Sequence, residues 1–328
     1  MSTTAELADD PTTAGSLRPT PLLVVNDLVK TFGNGVRAVD GVSLTVHKGE
    51  TLGLVGESGC GKSTTAKMIL RLLAPDAGLI LLGDDDLTAV RGRQLRQVRA
   101  RMQLVPQDPQ TSFNPRLSIR SSIEFNLRAQ RTEKAERARR VAEAMERVGM
   151  PMAYGQRFPH ELSGGQLQRA AIARALVTSP ELIVCDEAVS ALDKSIQAQV
   201  LNLLVELQQD LGMAYLFISH DLSVVEHLSD RVLVMYLGRV VEEASASQLW
   251  ARPRHPYTEA LLSAAPSSGR TRIMLTGDPP SPVDPPSGCT FRTRCPVALP
   301  ACAEERPLLQ ITEPHHLVAC VNEARTAA

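Results

Sequence analysis

The stretch "GESGCGKS", Gly56 to Ser63, constrains this chain more than any other. It fits the pattern G-x-x-x-x-G-K-[ST], follows the apolar run "TLGLVGE" and opens "KSTTAKMILRLL". A strand, a glycine-rich turn and a helix in that order form a cradle for phosphate oxygens. Gly56, Gly59 and Gly61 let backbone N–H groups turn inward, and the helix adds the positive end of its dipole. The pattern assigns Lys62 to the outer phosphates and the Ser63 hydroxyl to Mg2+. Glu57, Ser58, Cys60 and Thr64 complete the nucleotide-binding run, Cys60 as a tolerated variable position.

A second stretch, "LIVCDE", drives four apolar residues through a core and delivers Asp186 and Glu187 to a strand end. Open α/β sheets bind ligands at such ends. Asp186 suits Mg2+, and Glu187 suits the polarisation of an attacking water. Cys185 reads as a small core residue.

The rest of the pattern is α/β. "LLVV", "VSLTV", "LILL", "RMQLVPQ", "ELIVCDE" and "AYLFISH" predict strands, and "RVLVMYLGRVVEE" predicts a hairpin turning at Leu237-Gly238. Helical spacing puts Met68, Ile69, Leu72 and Leu73 on one side of the helix after the phosphate loop. Thr132 to Gly149 predicts an amphipathic helix with Val141, Ala144, Met145 and Val148 as its stripe. "GDPPSPVDPPSG" predicts a proline-rich connector without regular structure.

Lys+Arg 35 against Asp+Glu 36 leaves no overall basic pull toward nucleic acid. Arg91, Arg93, Arg96, Arg99 and Arg101 therefore read as a solvated helix face. No apolar run approaches membrane-span length, and the first residues lack the pattern of a signal peptide. His47, His160, His227, His255, His315 and His316 read as surface or capping residues.

"LSGGQLQRAAIARAL", Leu162 to Leu176, resembles the signature motif of ABC-type ATPases, and further elements of that family stand in the family's order. Phe32 matches the adenine-stacking aromatic, Gln107 in "VPQDP" the Q-loop glutamine, Asp193 in "SALD" the D-loop, and His220 after "LFIS" the switch histidine. The resemblance implies a P-loop NTPase of ABC type: a RecA-like core, an antiparallel β subdomain and a helical subdomain. It implies Mg2+ held by Ser63, Gln107 and Asp186, and catalysis by Glu187 and His220. Ser163, Gly164, Gly165 and Gln166 would face ATP bound to a second, homologous subunit, with a heterodimer expected. "PQDPQTSFNPRLSI", "VSALDKSIQAQVLNLL" and "HPYTEALLSAAP" resemble the ATPase subunits of dipeptide, oligopeptide and nickel importers. That implies peptide import at the cytoplasmic face of the membrane, with two permease subunits and, indirectly, an extracellular solute-binding protein. Nickel chelate and glutathione are alternative solutes, and an ABC ATPase acting on DNA or the ribosome is the alternative class. Ala188 departs from the family, which carries proline there. The expected division is a disordered 1–20, an ATPase domain at 21–252 and an extension at 253–328.

Cys289, Cys295, Cys302 and Cys320 close the chain in a C-x5-C-x6-C-x17-C pattern. Four thiolates suit tetrahedral zinc or an iron–sulfur cluster, and the loops are wider than typical zinc pairs. The importer resemblance implies a four-iron, four-sulfur cluster; zinc, or four packed thiols without metal, are the alternatives. The segment is expected to lie outside the hydrolysis chemistry.

Overall fold

The computed structural model describes residues 20–33, 35–265 and 269–322, so all but the last residue of the expected disordered 1–20 lies outside the described residues. The strands are β1 (Pro21–Thr31), β2 (Arg37–His47), β3 (Thr51–Val55), β4 (Ala77–Leu82), β5 (Asp85–Asp86) and β6 (Met102–Val105). They continue with β7 (Leu182–Asp186), β8 (Ala214–Ile218), β9 (Arg231–Tyr236), β10 (Arg239–Ser245), β11 (Gln310–Glu313) and β12 (His316–Val318). The helices begin with α1 (Lys62–Ile69), α2 (Gly92–Arg101), α3 (Pro109–Ser112), α4 (Ile119–Ala129), α5 (Lys134–Arg147) and α6 (Gly164–Leu176). After them come α7 (Lys194–Leu211), α8 (Leu222–Leu228), α9 (Ala246–Ala251), α10 (Pro256–Ser263) and α11 (Ala301–Glu304).

Two sheets result. A four-stranded antiparallel sheet runs β2-β1-β4-β5, and an eight-stranded sheet runs β11-β12-β10-β9-β3-β8-β7-β6. From β9 to β6 the pairing is parallel, and these strands are almost wholly buried, as apolar runs covered on both faces must be. Leu54 of β3, Ile218 of β8 and Asp186 of β7 share one register, so the loops after them open on the same edge.

The helical layer grows from amphipathic stripes. Val141, Ala144 and Met145 of α5 are buried against Ile119, Ile123 and Leu127 of α4 and Leu167 of α6 in one core cluster. Gly149 ends α5 in the left-handed region at φ 66, as a C-terminal glycine does. The hairpin between β9 and β10 turns at Leu237 and Gly238, with φ 42 and 79; two positive φ values suit a twisted two-residue turn.

Two expectations need correction. Helix α1 stops at Ile69 and Arg71 reverses the chain at φ 55, so Leu72 is left exposed rather than on an apolar stripe. His316 is fully buried, with Nε2 2.7 Å from Glu242 Oε1, and fastens β12 to β10. The extension thus completes the edge of the core sheet. The connector from 277 to 288 has no helix or strand, as its prolines dictate.

Candidate active site

Four of the expected motifs leave the same edge of the parallel sheet. The phosphate loop follows β3, Gln107 follows β6, Asp186 and Glu187 end β7, and His220 follows β8. Parallel register is what brings these residues together across more than a hundred positions of sequence.

The phosphate loop is folded for an anion. Gly61 stands at φ 110, and a Cβ there would meet the Ala38 carbonyl at 2.2 Å, so no other residue fits. No side chain caps α1, which leaves its first N–H groups pointing into the loop. Lys62 Nζ donates to the carbonyls of Gly56 at 2.8 Å and Glu57 at 3.0 Å, and stands 3.8 Å from Cys60 Sγ. Cys60 is buried, and burial pushes its thiol up against the opposing pull of Lys62. Ser58 and Gly59 are exposed at the tip, and Thr64 is half-buried in α1.

Ser63 Oγ donates to Asp186 Oδ1 at 2.9 Å. Burial pushes the Asp186 carboxyl up, the Ser63 bond opposes this, and Glu187 adds to the rise. A hydroxyl and a carboxylate in contact are the hard oxygen donors that Mg2+ takes, so this pair fits the ion. Glu187 Oε2 accepts from Gln107 Nε2 at 2.7 Å and lies 3.3 Å from His220 Nδ1. Glu187 itself sits at φ 50, an uncommon backbone state for a non-glycine residue and one found at functional sites. Ala188 is buried in the core.

The signature stands at the start of α6. Ser163 Oγ accepts from Gln166 N, and Gln166 Oε1 accepts from Ser163 N, a reciprocal cap. Ser163 and Gly164 are exposed, and a Cβ on Gly165 would come 2.6 Å from Ile196 Cγ2. That close approach ties the signature to α7, whose first turn Asp193 caps by accepting from Ile196 N at 2.9 Å. Phe32 is exposed just past β1, with its N–H on Val36 O.

The four cysteines gather. Cys289 N donates to Cys302 O at 2.8 Å, and Cys302 Sγ accepts from Leu299 N at 3.4 Å. Burial pushes the Cys289 thiol up to about 11, a Phe291 N–H on the sulfur opposes this, and nearby Cys302, Cys320 and Cys295 add to the rise. Yet no three His, Cys, Asp or Glu side chains among the described residues could hold a metal ion. Neither the expected four-iron, four-sulfur cluster nor its zinc alternative therefore has a formed ligand group among the described residues.

The segment nevertheless touches the phosphate loop, at Glu57. Arg294 Nη1 contacts both carboxylate oxygens of Glu57, at 2.9 and 3.1 Å, and Tyr257 Oη accepts the Glu57 N–H at 2.8 Å. Sequence reasoning missed both residues; the partners lie 237 and 200 positions apart, beyond any local pattern.

The chain matches the family model "ABC transporter" over residues 39–190 and "Oligopeptide/dipeptide transporter, C-terminal region" over 241–302. It is 53% identical over 294 residues to the oligopeptide transport ATP-binding protein AppF of Bacillus subtilis, covering 87% of this chain and 89% of that one. A putative peptide import ATP-binding protein of Brucella ovis is 51% identical over 312 residues, covering 93% and 98%. Among solved structures, the dimeric ATP-binding cassette MJ0796 bound to ADP and phosphate superposes with a TM-score of 0.62 at 27% identity, covering 68% and 98%. With the phosphate loop, Asp186–Glu187 and the signature placed as described, the chain belongs to the ABC transporter ATP-binding family, in its oligopeptide and dipeptide branch.

Proposed function

We propose that the chain is the ATP-hydrolysing subunit of a peptide importer. The observation that carries this is the convergence of Lys62, Ser63, Asp186, Gln107, Glu187 and His220 on one sheet edge, in a chain half identical to curated peptide transport subunits. Lys62 would exchange its loop carbonyls for the outer phosphates. Ser63 and Asp186, with Gln107, would hold Mg2+, which when bound neutralises developing phosphate charge. Glu187 accepts a proton from the attacking water, and His220 orients Glu187.

Ser163 and Gly164 lie exposed and Gly165 half-buried at a helix start, a second anion site that a partner's nucleotide would complete. Head-to-tail pairing with a homologous subunit follows, supported by the dimeric cassette above. No helix among the described residues is long and apolar enough to cross a membrane, so separate permease subunits would form the path at the cytoplasmic face. A cleft of about 580 Å³ between α2 and the end of α4, lined by Arg93, Arg96, Arg99, Gln103, Asn126 and Arg131, is the place where a permease segment would dock. An ATPase domain at 21–252 and an extension at 253–328, with Cys289, Cys295, Cys302 and Cys320 holding a four-iron cluster, complete the reading.

The test is Glu187→Gln in the full chain. It should bind MgATP, lose at least about a hundredfold in hydrolysis and accumulate as a nucleotide-bound dimer. Wild-type turnover in that variant would remove Glu187 from the mechanism. Uptake assays with the permeases would distinguish peptide from nickel chelate or glutathione.

A further inference from the structure

The contact between the C-terminal extension and the phosphate loop is built, not incidental. The chain has only six Phe and four Tyr, yet Tyr236, Tyr257 and Phe291 meet in one fully buried cluster. Their ring centroids are 4.7 to 5.4 Å apart, and His255 joins at 5.7 Å from Phe291. His255 caps α10 through Nδ1 on Tyr257 N, and Pro256 starts the helix, so "HPY" aims the tyrosine. The Tyr257 hydroxyl ends on the Glu57 N–H. Arg294 is carried by the turn between Cys289 and Cys295, with its N–H on Phe291 O, and its guanidinium is nearly buried against Glu57 and Tyr236 Oη.

The same extension reaches the adenine side. Pro282 O accepts the Arg37 N–H at 3.2 Å, and Arg306 Nη2 donates to Asp40 O at 3.2 Å. Val283 stands 3.4 Å from where a Cβ on Gly35 would be, in the turn after Phe32.

We propose that Arg294 and Tyr257 are positioning residues for ATP: they fix Glu57 in the phosphate loop, so that the four-cysteine segment sets the loop's nucleotide affinity. This rests on ATP binding at the phosphate loop. When phosphates draw Lys62 away, the Glu57 carbonyl keeps the Cys60 N–H of its own loop, and Tyr257 and Arg294 hold that residue from outside the loop. Arg294 also neutralises a carboxylate inside a loop that must receive a polyanion. Without it, Glu57 would repel the phosphates, and a partly buried unpaired charge is poorly screened.

The contribution is to binding, present equally before and during hydrolysis, so it should move KM and leave kcat. In titrations of the full chain with fluorescent MgATP, Arg294→Gln should weaken binding about tenfold, the scale of one unscreened charge a few ångströms off. Arg294→Lys should recover most of that. Glu57→Gln/Arg294→Gln should also bind better than Arg294→Gln alone, because the stray charge is gone. Tyr257→Phe should weaken binding a few-fold, and Arg292→Gln, on the same turn but bonded to Ser287, should not. Cys295→Ser should lower affinity in the wild-type background and not further in Arg294→Gln. If Arg294→Gln fails to fold, Tyr257→Phe and the double variant carry the test. Unchanged affinity in Arg294→Gln, or in Tyr257→Phe and the double variant, overturns the proposal, as does a loss of kcat at constant KM. Absence of MgATP binding by the wild type would overturn both it and the assignment beneath it.

Discussion

Gln107 Nε2 donates to Glu187 Oε2 at 2.7 Å, joining the loop after β6 to the end of β7. In this arrangement the amide nitrogen faces the carboxylate proposed as general base. Holding Mg2+ would require the amide oxygen to turn toward the ion instead. The pair is therefore a contact that nucleotide binding must exchange, and it can report arrival of the metal to the exposed segment that follows Gln107. Gln107→Glu would set a second carboxylate against Glu187 and raise its proton affinity. We expect ATPase activity to drop about tenfold or more at neutral pH, with the optimum moved to higher pH. An unchanged pH–rate profile would remove this contact from the mechanism.

Most of the core was legible from residue patterns. Buried parallel strands read as continuous apolar runs, and the phosphate loop reads as glycines at fixed spacing. The turn at Leu237-Gly238 was legible from glycine punctuation. What escaped depends on tertiary placement. Strands β11 and β12 are too short to carry a periodic signal; β10 offers an edge to β12, and β12 in turn to β11. The Glu57–Arg294 pair and the buried Glu242–His316 pair join residues that no window of sequence contains together.

Phe291 should be one of the costliest single truncations in the extension. It is fully buried and packs against Tyr236, Tyr257 and His255. Phe291→Ala should cost about 3–5 kcal/mol in urea unfolding, the usual range for an aromatic cavity. Phe125→Ala, on an exposed face of α4, should stay within about 0.5 kcal/mol.

Asp221 links the switch region to the D-loop helix. It caps α8 by accepting from Ser223 N at 3.1 Å, and Lys194 Nζ lies 2.9 Å from Oδ2. Burial alone would raise its carboxyl, but the Ser223 and Lys194 bonds outweigh it and hold the group at about 2, against an ordinary 3.8. A folded value below the unfolded one stabilises at pH above about 4, and that contribution fades as pH falls toward about 2. Asp221→Ala should cost about 1 kcal/mol at neutral pH, as lost caps do. The gap to wild type should narrow across that acid window; a constant gap would assign the effect to packing.

The cleft beside α2 predicts an uncoupled variant. Arg93 and Arg96 are exposed on it, on a helix outside the phosphate loop. Arg96→Glu should leave the soluble ATPase rate within about twofold while abolishing ATP-driven uptake in the assembled transporter. Crosslinks from the permeases that fell only on residues beyond 253 would place docking elsewhere.

The cysteines give the last prediction. Cys295, Cys302 and Cys320 lie close enough to influence Cys289, with amide donors on sulfur, but among the described residues they form no metal-holding group. Thiols bind a cationic centre only on losing their protons, and burial pushes the Cys289 thiol up, so uptake should release protons and weaken on acidification. Protein purified without oxygen should be brown and contain iron and sulfide, and Cys302→Ser should bleach it. Because Arg294 sits beside Cys295, removing the iron should also raise the concentration of MgATP needed for half-saturation. Stoichiometric zinc without iron would replace the cluster. Neither metal, with unchanged nucleotide affinity after thiol alkylation, would leave four packed thiols whose work is done by Phe291 and Arg294 alone.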